Sequence, residues 1–144
     1  MSPADDSLED AARECLGRLF SLFPAPPDPA APPAPWDRAV VVGFRGEKSG
    51  HLRLDFYGGA HADLLNGWVG GAVDEVDEND VAGELANILC CHVLPSLFSP
   101  RALFHVESPR AVPEGPASQE EISARATIAL PGGRIEARVF TETA

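Results

Sequence analysis

Seven of the twelve residues from Pro24 to Pro35 are proline, and this block limits the fold more than any other segment. Proline has no amide hydrogen to give to a helix interior or a central strand, so neither can run through it. A stiff polyproline-II connector is the expected conformation. Such a stretch can also act as a docking motif for a proline-binding domain, but the composition is generic and a spacer is the simpler reading. What precedes it must be an element of its own. Residues 6–23 read as a helix, with Leu8, Ala12, Cys15, Leu16, Leu19, Leu22 and Phe23 at helical spacing. Ser7 is the expected cap, and Asp5, Asp6, Glu9 and Asp10 suit the positive end of the helix dipole.

Beyond the connector the period changes. Residues 38–46 are rich in β-branched side chains, and residues 51–57 alternate, with Leu52, Leu54 and Phe56 on one face. Gly46-Glu47-Lys48-Ser49-Gly50 joins these two strands as a hairpin turn. Residues 60–69 read as a helix with Ala60, Leu64, Leu65 and Trp68 inward. A longer helix is expected from Asn79 or Asp80 to about Leu94, with Val81, Leu85, Ile88, Leu89 and His92 as its buried stripe and Pro95 kinking or ending it. Residues 102–107 form a short strand, and a loop follows from Ser108 to about Gln119. Residues 121–130 and 134–141 make a second hairpin around Pro131-Gly132-Gly133. The order α-β-β-α-α-β-β-β predicts an α+β fold, an antiparallel β-sheet packed by helices on one face.

A chain of 144 residues with 44% hydrophobic residues suits one domain, residues 1–144, with the connector inside it. The net charge of −11 argues against nucleic acid and anionic membrane as partners, because a polyanion repels both. The acidic N-terminus does not resemble a secretory signal, and no apolar run is long enough to span a bilayer. A cytoplasmic location is therefore expected. Cys15, Cys90 and Cys91 suit reduced thiols in such a compartment.

Most standard chemistry is missing from the sequence. Gly43-Phe44-Arg45-Gly46 and Gly58-Gly59 lack the Lys-Ser/Thr of a phosphate loop, and no Gly-x-Ser-x-Gly elbow occurs. His51, His61, His92 and His105 have no metal-ligand spacing. Cys90-Cys91-His92 is a poor metal cluster, because adjacent helical residues point about 100° apart. Nothing specific pairs Cys91 with a distant histidine as a nucleophile. What remains is Gly83-Glu84-Leu85-Ala86-Asn87-Ile88. Glu84 and Asn87 are three apart and share a helix face, with Asp80 and Cys91 continuing the row. Asn in a helix interior costs roughly 0.5 kcal/mol relative to Ala. On spacing alone a solvated face is the better explanation of the pair, because acidic-x-x-Asn occurs by chance in many helices.

Three segments in order resemble the CheX-like branch of the CheC/CheX/FliY phosphatases, over about residues 38–142. The first is Val42-Gly43-Phe44-Arg45-Gly46 with Ser49-Gly50-His51-Leu52-Arg53-Leu54. The second is residues 80–89, around Glu84 and Asn87. The third is Glu107-Ser108-Pro109 with Gly115 downstream. The resemblance implies a phosphatase acting on the phospho-aspartate of a CheY-like response regulator. Glu84 and Asn87 would be the catalytic pair, with Asp80, Gly83 and Cys91 contacting the partner. It implies no metal or cofactor in this chain, the Mg²⁺ belonging to the receiver. The first helix offers no asparagine in Glu14-Cys15-Leu16-Gly17, so one active surface is expected. A homodimer through sheet edges is also carried over from the family. Cys91 and His92 depart from the family pattern and motivate an alternative, a catalytically inactive docking or scaffold module in two-component signalling.

Overall fold

The structure, a computed structural model, describes residues 2–24, 34–67, 78–99, 103–114 and 121–142, with the backbone alone at residues 78–80 and 121. Helix α1 spans Pro3–Phe20, and strands β1 and β2 span Trp36–Gly46 and Gly50–Gly58. Helices α2 and α3 span Ala60–Gly67 and Glu78–Leu97. Short strands β3 (Phe104–Val106) and β4 (Arg110–Val112) precede the hairpin of β5 (Glu121–Leu130) and β6 (Gly133–Thr141). This is the expected α+β order, with β4 as an added three-residue strand inside the expected loop.

The six strands form one antiparallel sheet in the order β3-β1-β2-β6-β5, with β4 also pairing β1. Strict alternation places Val40, Val42, Leu52, Leu54, Phe56, Ile135, Ala137 and Val139 toward the helices. All three helices contribute buried residues to that one apolar layer, including Leu8, Leu16 and Phe20 from α1 and Leu64 from α2. Each such Leu or Phe contributes roughly 1.5–3 kcal/mol by leaving water.

Several local expectations are corrected. Helix α1 begins at Pro3, capped by Ser2: its hydroxyl accepts from the Asp5 amide at 3.1 Å, and Asp5 reaches back to the Ser2 amide. This box outcompetes a cap at Ser7 because proline at the first helical position is already preset for the helix. The helix ends before Pro24, with Ser21 in the left-handed conformation, and Phe23 is left 82% exposed. Residues 25–33 of the connector, Trp68 and Gly115 lie outside the described residues. Both described ends of the connector are tied down: the Pro24 carbonyl accepts from Arg13 and the Pro35 carbonyl from the Gly58 amide.

In α3 the buried hydrophobic residues are Val81, Ala82, Leu85, Ala86, Leu89, Cys90, Val93 and Leu94, while His92 is exposed and Ile88 only half-buried. The helix therefore turns a wider face to the core than the expected stripe, and His92 leaves it to meet Glu14 of α1 at 3.2 Å. The helix also continues through Pro95 to Leu97. Pro95 is exposed, so the carbonyl one turn back can turn to water when its helical donor is lost.

Candidate functional site

Two short strands share the outer edge of β1. Strand β3 pairs with Phe44–Gly46, and β4 pairs with Ala39–Val41. Between them the chain must leave the ladder, because Pro109 has no amide hydrogen to donate. Glu107 makes the last tie, its amide donating to the Gly43 carbonyl at 2.8 Å. An aromatic triangle anchors this edge to the end of α3: Phe44, Phe98 and Phe104 have ring centroids 5.9–6.0 Å apart.

The break at Pro109 meets α3 at Gly83. A Cβ added to Gly83 would lie 3.0 Å from the Pro109 Cβ and 3.1 Å from its Cγ. Glycine in a helix interior costs about 1 kcal/mol against alanine. Here it lets the helix backbone approach the loop without a clash, which places the next residue, Glu84, at the lip of a cleft. Gly83, Glu84 and Asn87 form its helical wall, Pro109, Arg110 and Ala111 the opposite wall, and Val40 belongs to its lining. The cleft holds about 320 Å³.

The polar side chains lining this cleft are unpaired among the described residues. Among the described residues, the side chains of Glu84, Asn87 and Arg110 make no hydrogen bond or ion pair. Glu84 is exposed and Asn87 half-buried. An amide and a carboxylate thus share one opening, able to donate, to accept and to carry negative charge.

Of the site residues expected from sequence, Gly83, Glu84 and Asn87 meet in the cleft. Cys91 lies outside the cleft lining, exposed on the same helix. The Asp80 side chain lies outside the described residues. Cys90 and Cys91 diverge: burial pushes the Cys90 thiol up to about 12, so it stays protonated at neutral pH. Arg110 escaped the sequence reading altogether. Its only signal was its position after Glu107-Ser108-Pro109, and nothing local links that segment to α3.

A second polar cluster lies on the opposite face of the sheet. Asp55 accepts from Arg53 Nε at 2.9 Å, Arg138 Nη2 at 2.8 Å and Trp36 Nε1 at 3.0 Å. Arg53 also donates to the Pro113 carbonyl. Burial alone would raise the Asp55 pKa, but hydrogen bonds from Arg53, Trp36 and Arg138 outweigh it and hold the carboxyl below its ordinary value. Every carboxylate oxygen there is occupied, so the cluster holds the sheet and offers no open valence.

With this geometry the comparison with solved structures is decisive for the fold. The CheX chemotaxis protein of Vibrio vulnificus superposes with a TM-score of 0.70 at 15% identity, over 98% of this chain and 97% of that one. The chain has the CheX fold. A CheC-like superfamily protein from Shewanella sp. PV-4 matches with a TM-score of 0.68 at 17% identity, over 99% of this chain and all of that one. The CheX chain in a CheX–CheY–BeF3–Mg complex from Borrelia burgdorferi matches with a TM-score of 0.64 at 16% identity, over 96% of this chain and 97% of that one. No family model and no curated protein sequence matches the chain. The CheX-like likeness is thus carried by the fold, over nearly the whole chain. Among the described residues, no helix is long and apolar enough to cross a membrane.

Proposed function

We propose that this protein is a phosphatase for the phospho-aspartate of a CheY-like response regulator. The observation that carries the reading is the pair Glu84 and Asn87, adjacent on one turn of α3, lining an open cleft and unpaired among the described residues. The CheX-like fold supports it, as does the similarity to a CheX solved with CheY, BeF3 and magnesium. Beryllofluoride is a tetrahedral stand-in for a phosphoryl group.

The chemistry asks little of the chain beyond positioning. Water attacks the phosphorus of the acyl phosphate, the phosphorus–oxygen bond to the aspartate breaks, and inorganic phosphate leaves with the aspartate carboxylate restored. The transition state is largely dissociative, so a strong base is not required. The Asn87 amide accepts from the water and donates to a phosphoryl oxygen, which holds the nucleophile in line. Glu84 pairs with a lysine of the receiver and fixes the helix against it. The Mg²⁺ is the receiver's, and this chain contributes no cofactor. Asp80, Gly83 and Cys91 belong to the contact surface around that pair.

The test is the decay of phosphate on receiver domains with and without this protein. Acceleration that disappears in Asn87→Ala, with binding retained, supports the mechanism. Equal acceleration by Asn87→Ala would sink it. Binding to a phosphorylated receiver without any change in phosphate lifetime would show a docking module in its place, the reading to which the exposed Cys91 beside the cleft points.

A further inference from the structure

The two sides of the sheet end differently. At one side, β3 and β4 cover β1 in two three-residue pieces, interrupted at Pro109. Short strands and a proline leave an incoming strand little to pair with. At the other side lies β5, Glu121–Leu130, paired with β6 alone among the described residues. No proline falls within it, and the register shift between Ile122 and Ala124 leaves Arg125–Leu130 regular. A long regular edge of this kind is a template for another strand.

The hairpin register says which groups face outward. Pro131-Gly132 is a two-residue turn, so Leu130 and Gly133 exchange backbone hydrogen bonds, and such pairs recur at every second residue. Arg125, Thr127 and Ala129 therefore turn their backbone N–H and C=O groups away from β6. One of these groups is taken. The Arg125 amide donates to Asp5 Oδ1 at 2.9 Å, across 120 positions of sequence. The other oxygen, Asp5 Oδ2, accepts from the Ser2 amide at 3.4 Å and completes the cap of α1. The bond from the Arg125 amide is the largest of the influences on the Asp5 carboxyl and holds it below its ordinary value, so the group is an ionised acceptor at neutral pH.

We propose that Asp5 closes the β5 edge against strand addition by a second copy of this chain. Antiparallel pairing centred on Thr127 would set Arg125 of each copy opposite Ala129 of the other, a self-complementary two-fold arrangement. It needs the Arg125 amide of each copy to donate to the Ala129 carbonyl of the other. The Asp5 carboxylate holds that amide and sets a negative charge where the carbonyl oxygen would enter. One side chain thereby serves two open backbone ends, the first turn of a helix and the edge of a sheet. The sheet-edge homodimer that the family resemblance implies is accordingly barred at this edge.

The test is sedimentation of the full chain over a concentration series, for wild type, Asp5→Ala, Ser2→Ala and the double variant Asp5→Ala with Thr127→Pro. Asp5→Ala is expected to lower the dimer dissociation constant by about tenfold or more. Ser2→Ala loses the hydroxyl of the cap but keeps the Asp5–Arg125 bond, so it should sediment as wild type. Thr127→Pro removes an outward amide and leaves the β6 ladder intact, so the double variant should return to the wild-type state. Wild-type sedimentation of Asp5→Ala, or an association that also appears in Ser2→Ala or survives Thr127→Pro, would overturn the proposal. Amide exchange in wild type gives a reading that needs no variant. Relative to an unstructured peptide, the Arg125 amide should exchange about tenfold slower than that of Thr127. Equal protection of the two amides would overturn the contact itself.

Discussion

The two polar clusters of this protein use the same chemical parts to opposite ends. On the far face of the sheet, Asp55 is surrounded by Arg53, Arg138 and Trp36 and is 2% exposed. In the cleft beside α3, the side chains of Glu84 and Asn87 share an opening with no hydrogen bond or ion pair among the described residues. The first cluster pairs its charges internally, although the buried Nε of Arg138 has no hydrogen-bond partner among the described residues. The second leaves its hydrogen-bonding capacity for something outside the chain. Pairing, more than residue type, separates a group that stabilises the fold from one that is available for work.

The sharpest way to break this contrast is to remove Asp55. Asp55→Ala leaves Arg53 buried and uncompensated, and unfolding free energy should fall by about 3–5 kcal/mol in urea titrations. Asp55→Asn should also flatten part of the acid response. The folded carboxyl titrates below its unfolded value, so its contribution is complete above the ordinary aspartate range. That contribution drains away as pH falls through the lower folded value. A denaturation midpoint for Asp55→Asn with the same acid slope as wild type would show that this carboxylate is not the linked group.

In the cleft the larger effect should fall on turnover. Asn87→Ala should slow stimulated dephosphorylation by on the order of 100-fold, since an ill-placed nucleophile costs that much. Its unfolding free energy should change by no more than about 0.5 kcal/mol, because it gives up no internal bond and alanine is the better helix former. Gly83→Ala comes next. The gain in helix propensity opposes the clash with Pro109, so stability moves little while the helix shifts from the loop, and turnover should drop by about tenfold. The smallest effect is chemical: a thiol reagent should modify Cys91 alone in the native protein, because Cys15 and Cys90 are buried. Equal labelling of all three thiols under native conditions would contradict that burial.

Much of the architecture was legible along the chain. The hairpin turn at Gly46–Gly50, the second hairpin around Pro131-Gly132-Gly133 and the alternation of Leu52, Leu54 and Phe56 all reappear in the sheet. The errors sit where two local signals compete. Ser7 and Ser2 are both capping residues, and only Ser2 has proline behind it together with an acid at the third helical position. His92 lies near the edge of the apolar stripe of α3, and the nearby Glu14 of another helix draws it outward. Alternation puts Arg53 and Asp55 on the face opposite Leu52, Leu54 and Phe56, yet both are buried. They are buried because Arg138, Trp36 and the Pro113 carbonyl supply partners from elsewhere in the sequence.

The sequence by itself determined that Glu84 and Asn87 share one face of a helix, since a 3.6-residue period needs only local backbone geometry. It determined the strand faces for the same reason. Only the tertiary structure decided that this face borders a cleft and that the segment Pro109 to Ala111 forms its other wall. That outcome depends on β4 pairing with Ala39–Val41 and on Pro109 resting against Gly83, contacts between segments far apart in the chain. Such contacts follow from which edge is left to pair and how closely two backbones can approach, and no local periodicity encodes either.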